Sequence, residues 1–291
     1  MRSKKKQTFR ITVIFFLLLN LTSIGTAITE QPSILLDFEP FQKDSLNLRE
    51  YRAVLVGIDL YQSSLLPYSV KQLKGFETTL LNGGNWKESN VRSLTDSSAT
   101  KTAILNNIMW LKDNADNNDV SLFYFVGHGG RNLTNECIIS HNEPIYDTLL
   151  KEYFNNISGK IIILIDSCYS GGFIEELKGS DRVIVTGCKK NEANYQIQDL
   201  QSGMFGYFFN ASLAWFSKNI EHAYIFTKIF TWYYGKKISE KYGGEYYIHP
   251  QLYDGTFGTT KVIYKHSYIK NIIKMILSVS GFDGRTELWR M

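Results

Sequence analysis

Five consecutive aliphatic residues, Ile161-Ile162-Ile163-Leu164-Ile165, constrain this chain more than any other feature. No polar residue interrupts them at alternate positions, so the run suits a strand covered on both faces, the condition of a parallel sheet inside an α/β protein. Ala53 to Ile58 and Val120 to Val126 have the same character, and Val91–Leu94 and Arg182–Thr186 are shorter strand candidates. Between them lie stretches with helical spacing. Val70 to Leu81 is closed by Asn82-Gly83-Gly84, and Thr100 to Ala115 places Ile104, Ile108 and Leu111 on one face. Phe205 to Phe216 and Ala223 to Tyr242 are also helical in pattern. Strands alternating with helices predict an α/β fold, with a mainly parallel central sheet between two helical layers.

In open sheets of this kind, reactive groups gather beyond the carboxyl ends of the strands. Two residues suited to chemistry sit there. Val126 is followed by Gly127-His128-Gly129-Gly130, and Ile165 by Asp166-Ser167-Cys168-Tyr169-Ser170-Gly171-Gly172. A thiol is mostly protonated at neutral pH and needs a base, and histidine titrates in the right range. A lone cysteine is more often a small buried hydrophobe. It is the joint placement that marks Cys168 as nucleophile and His128 as its base. The backbone N–H groups of Gly129 and Cys168 are candidates for an oxyanion hole.

Phe123-Tyr124-Phe125-Val126-Gly127-His128-Gly129 resembles the histidine motif of metacaspases and other caspase-fold peptidases, and Asp166-Ser167-Cys168-Tyr169-Ser170-Gly171 their cysteine motif. Ala53 to Tyr61 is similar to the first strand of that family, Leu94-Thr95-Asp96 with Ala99-Thr100-Lys101 to its second strand and helix entry, and Gly203-Met204-Phe205-Gly206-Tyr207 to a Gly-x-Phe-Thr segment. The likeness runs over roughly residues 50 to 260. It implies a caspase–hemoglobinase-like three-layer sandwich and a cysteine–histidine dyad acting on peptide bonds. It also implies that Asp166, two residues before the nucleophile, lines an acidic pocket for Arg or Lys, with Asp59 as a further candidate for that pocket. Tyr169 departs from the family's usual histidine, and Gly206 stands where threonine is frequent. The carboxylate cluster that binds calcium in some members has no recognisable counterpart, so no cofactor and no metal site are expected, and activation by calcium stays open as an alternative without a site to assign to it. Legumain-like specificity for Asn or Asp is an alternative with a poorer motif match. A non-catalytic, exported binding or scaffold protein of the same fold is a second.

The formal net charge of +4 owes much to Arg2, Lys4, Lys5, Lys6 and Arg10, and no basic stripe remains that would suit nucleic acid. Those residues precede an apolar stretch from Ile11 to Ala27 with small residues Gly25 and Ala27 near its end. Residues 1–28 therefore read as a signal peptide or an N-terminal anchor, and the folded part as secreted or extracytoplasmic, touching a membrane only if that segment is retained. Residues 29–50 read as a linker or pro-segment, 51–265 as a caspase-like peptidase domain, and 266–291 as a partly helical tail. The partner expected is a protein or peptide substrate. Cys137, Cys168 and Cys188 are too few and too scattered for a disulfide framework, and Cys137 and Cys188 read as buried, inert thiols. His141, His222, His249 and His266 lie away from glycine-presented strand ends and read as surface or packing residues.

Overall fold

The apolar runs become the strands of one sheet. The computed structural model describes residues 48–62, 64–258, 260–264 and 288–291. Strand β1 (Tyr51–Gly57) leads to helix α1 (Ser69–Asn82), β2 (Val91–Thr95), helix α2 (Lys101–Asn114) and β3 (Val120–Val126). A small antiparallel sheet follows, made of β4 (Gly129–Arg131), β5 (Glu136–Ile139) and β6 (Pro144–Tyr146), and then helix α3 (Asp147–Phe154). Beyond β7 (Lys160–Asp166) come helix α4 (Phe173–Leu177), β8 (Arg182–Thr186), the short strands β9 (Tyr195–Ile197) and β10 (Ser202–Gly203), and helices α5 (Met204–Trp215) and α6 (Ile220–Tyr242). Two strands complete the fold, β11 (Gln251–Asp254) and β12 (Leu288–Arg290).

The six-stranded sheet has the order β11-β8-β7-β3-β1-β2, parallel except for the edge strand β11. Every residue of β3 is buried, as are Ile161 to Asp166 of β7, which is why neither strand alternates. Helices α1, α5 and α6 pack together on one face, and α2, α3 and α4 on the other, so the molecule is a three-layer sandwich. The face of α1 turned to the sheet carries Ser69, Gln72, Leu73, Phe76 and Leu80, at helical spacing. Helix α2 buries Ile104, Leu105, Ile108 and Leu111, and Thr100 caps it by accepting the Ala103 N–H at 3.2 Å.

Strand β1 pairs with β2 on one side and β3 on the other, so the chain changes direction across the sheet between β1 and β3. That switch point opens a crevice at the carboxyl edge. The segment after β1 and the loops after β3 and β7 meet there.

The leader or anchor and nearly all of residues 29–50 lie outside the described residues, as does the tail apart from 288–291. The first three of those residues form a strand: β12 pairs antiparallel with β9 in a second three-stranded sheet, ordered β10-β9-β12.

Candidate active site

The register of the sheet decides which loops face one another. In the β3–β7 ladder Val126 pairs with Asp166, so His128 and Cys168 each stand two residues past that pair on adjacent strands. Gly127 N–H still reaches the Asp166 carbonyl at 3.3 Å, which ties the bases of the two loops together. At Gly129 a Cβ would fall 2.2 Å from the Cys168 carbonyl oxygen and 2.6 Å from Ser167 Oγ. Only glycine allows this approach of the histidine loop to the cysteine loop.

Cys168 is 1% exposed. Its Sγ accepts the backbone N–H of Asn194 at 3.2 Å and lies 3.8 Å from the carbonyl oxygen of the same residue. The next residue, Tyr169, has φ of 60°, in a region that bulky side chains seldom occupy. Its N–H donates to the Glu192 carbonyl at 2.9 Å, and Arg131 lies over its ring, 4.6 Å from the centroid. Tyr169 thus sits under a cation at the turn that presents Cys168.

His128 is half-buried, and Tyr61 positions it. The Tyr61 hydroxyl accepts the His128 backbone N–H at 3.0 Å and donates to the Ile139 carbonyl at 2.9 Å, and the two rings lie 4.6 Å apart. Nε2 of His128 is 3.3 Å from the Ser64 carbonyl. Burial lowers the imidazole pKa below its ordinary value, opposed by hydrogen bonds with the backbone of Ser64 and Met291. A ring with a lowered pKa is neutral at physiological pH, as a general base must be.

Asp166 is wholly buried. Its Oδ2 accepts from Gln72 Nε2 at 2.6 Å and its Oδ1 from Asn194 Nδ2 at 2.5 Å. Burial pushes its pKa up to about 6, against the hydrogen bonds from Gln72, Asn194 and the Gly206 backbone. All three donors are neutral, so this carboxylate holds unbalanced negative charge whenever it ionises. Asp59 is placed differently. Its Oδ1 accepts the Val70 N–H at 3.1 Å at the start of α1, and its own N–H donates to Asp96 Oδ1 at 2.8 Å. Burial raises its pKa, and hydrogen bonds from Val70 and Ser69 oppose the rise. Its carboxylate serves as a cap for orphan amide groups of a helix.

Three residues of the site give no motif. Gln72 spends its whole amide here: besides Asp166 it donates to Tyr124 Oη at 2.6 Å, and it accepts from Ser202 Oγ at 2.9 Å and Gly203 N–H at 2.6 Å. Asn194 touches both Cys168 and Asp166, and Tyr61 holds His128. The one available signal is a glutamine among the apolar positions of a helix, since a buried amide must find partners. Asn194 and Tyr61 lie on loops, where spacing carries no information.

The remaining thiols behave as buried groups. Burial raises Cys137 to about 11 and Cys188 to about 12, so both stay protonated near neutrality. His249 pairs with Glu192 at 2.6 Å. Among the described residues no three His, Cys, Asp or Glu side chains gather as a metal ion would need.

A family model, the caspase domain, matches residues 50–252. A protein named metacaspase-1 from Schizosaccharomyces pombe is 24% identical over 147 residues, covering 43% of this chain and 35% of the relative. A second metacaspase-1, from Eremothecium gossypii, is 26% identical over 151 residues, covering 43% and 32%. The chain thus spans about a third of the length of these relatives. A crystal structure of a Geobacter sulfurreducens protein superimposes with a TM-score of 0.55 at 11% identity, over 75% of this chain and 97% of that one. At that identity the likeness concerns the fold alone.

Proposed function

The chain belongs to the caspase-domain family, and we propose that it is a cysteine endopeptidase working through Cys168 and His128. The observation that carries this is the shared register, which sets both residues two positions beyond the Val126–Asp166 pair. Sγ of Cys168 attacks the scissile carbonyl while His128 takes the thiol proton. The carbonyl oxygen becomes an oxyanion held by the N–H groups of Gly129 and Cys168. His128 returns the proton to the departing amine as the C–N bond breaks. Water, deprotonated by His128, then hydrolyses the acyl-enzyme and releases the carboxylate product and the free thiol.

The residue before the scissile bond is Arg or Lys in this reading, with Asp166 as its partner. Support comes from the neutral donors around Asp166, which supply hydrogen bonds but no positive charge. A guanidinium entering a desolvated pocket needs a fixed anion, or its dehydration goes uncompensated. Asp59 contributes indirectly, by anchoring the segment that leads to Tyr61 and Ser64. The protein acts outside the cytoplasm, on the strength of the basic start and the apolar stretch from Ile11 to Ala27.

Profiling the purified protein against a peptide library tests the assignment. Cleavage after Arg or Lys by the wild type, and none by folded Cys168→Ala protein, is expected. A preference for Asp or Asn would overturn the specificity, and full turnover by Cys168→Ala would overturn the mechanism. For export, N-terminal sequencing of the mature protein should begin near Ile28 if the leader is cleaved, and full-length protein confined to the cytosol would contradict it.

A further inference from the structure

We propose that the segment Leu288–Met291 is a built-in occupant of the peptide-binding groove, which holds the protein in a self-blocked state. The proposal rests on the peptidase reading of Cys168 and His128. Strand β9 has β10 on one side, and its other edge is taken by β12, with Leu288 opposite Ile197, Trp289 opposite Gln196 and Arg290 opposite Tyr195. An open strand edge is what an extended peptide uses to add itself to a sheet. This edge leads directly to the nucleophile. Met291 N–H donates to the Asn194 carbonyl at 3.0 Å, and the N–H of the same Asn194 donates to Cys168 Sγ at 3.2 Å. Only one residue lies between the inserted segment and the thiol.

Three further observations place Met291 inside the site rather than on its rim. Its backbone is hydrogen-bonded with His128. It is only 2% exposed. Its Sδ lies 3.4 Å from where a Cβ on Gly203 would stand, and Asp166 Oδ2 lies 3.2 Å from the same point. The Met291 side chain and the carboxylate assigned to the incoming substrate residue therefore both border Gly203. The segment engages the histidine, the residue beside the thiol and the neighbourhood of the acidic pocket at once. A substrate strand paired to β9 and reaching Cys168 needs the same backbone partners, so the two are mutually exclusive. Because the segment belongs to the chain, its entry is intramolecular, and substrate must compete with it.

The test compares the wild type with a variant lacking residues 288–291 and with Met291→Asp, whose carboxylate is repelled by Asp166 while the chain keeps its length. A groove closed nine-tenths of the time weakens apparent substrate affinity about tenfold. Both variants should therefore show kcat/KM for a peptide substrate raised by about that factor, mostly through KM. Alkylation of Cys168 by iodoacetamide should accelerate in both as well. The amidated peptide Leu-Trp-Arg-Met, added to the truncated protein, should inhibit competitively and slow alkylation. The alkylation and peptide-protection measurements need no turnover, so they decide the proposal even if the protein cleaves nothing. Absence of cleavage by every form, with the predicted change in alkylation, would count against the peptidase reading and leave the groove occupant established. Unchanged kcat/KM, unchanged alkylation and no protection by the peptide would overturn the self-blocking proposal.

Discussion

Gln72 Nε2 donates to Asp166 Oδ2 at 2.6 Å, so a helix on one face of the sheet holds the strand that delivers Cys168. The same amide carries Tyr124, Ser202 and Gly203, which makes it the hub joining α1, β3, β7 and β10. Gln72→Met keeps the length of the side chain and removes every one of these bonds. Leaving buried polar partners unpaired costs about 1–3 kcal/mol each. A loss of at least about 3 kcal/mol is expected, read as a lower urea midpoint at unchanged m-value. An unchanged midpoint would mean that water replaces the amide.

Cys168→Ala and His128→Ala should each abolish peptide cleavage while far-UV and near-UV circular dichroism stay native. Cys137→Ala and Cys188→Ala should keep cleavage within a few-fold, since burial holds both thiols protonated. Labelling of the folded wild type by a substrate-directed thiol probe should fall on Cys168 and depend on His128. Equal labelling of all three cysteines would remove the distinction.

The contrast between these residues explains what is legible in the sequence. Strands β1, β3 and β7 announce themselves because burial on both faces admits only apolar side chains, and the helices between them because α1 and α2 each bury one stripe. His128 and Cys168 follow from the strands, since each needs only a strand end and a glycine-rich turn. The small strands are not legible. Strand β9 has three residues and β10 two, too short for any period, and their place is fixed by tertiary hydrogen bonds such as Tyr68 N–H to Gln196 Oε1 at 3.0 Å. The hairpin β4–β6 is hidden in the same way, although Gly129 and Gly130 point to a turn. The strand-end position of Asp59 suggests the pocket, yet its bonds are those of a helix cap. Position along the chain does not reveal which way a side chain turns.

Gly129→Ala tests the close approach of the two loops. Its Cβ would stand 2.2 Å from the Cys168 carbonyl, a backbone atom that cannot swing aside. The loops must separate, which displaces one proposed oxyanion donor. Loss of one such donor typically costs 10²–10³ in kcat. A fall of about that size is expected, with KM affected far less. Wild-type kcat in a folded Gly129→Ala protein would show that the donor lies elsewhere.

The last prediction joins specificity to pH through Asp166. Burial raises its pKa to about 6, above the value near 3.8 that holds in the unfolded chain. Between these values the folded protein binds the extra proton, so stability falls as pH rises through the window and the penalty is complete above about pH 6. Such a rise makes the ionised carboxylate cost the fold about 3 kcal/mol. His128 acts with the opposite sign. Its pKa is depressed by burial, so its contribution is present above the ordinary histidine value and is lost as pH falls below it. Single variants separate the two. Relative to Asp166→Asn, the wild type should gain thermal stability on acidification from about pH 7 to about pH 4. Relative to His128→Gln, it should lose stability between about pH 7 and about pH 5. Asp166→Asn should also lower kcat/KM for basic substrates by about two to three powers of ten, as expected for breaking one buried charge pair worth about 3–4 kcal/mol. Alkylation of Cys168 should change much less, because the dyad is intact. Unaltered kcat/KM with Arg substrates, together with a parallel pH–stability profile, would show that Asp166 braces the fold and does not read the substrate.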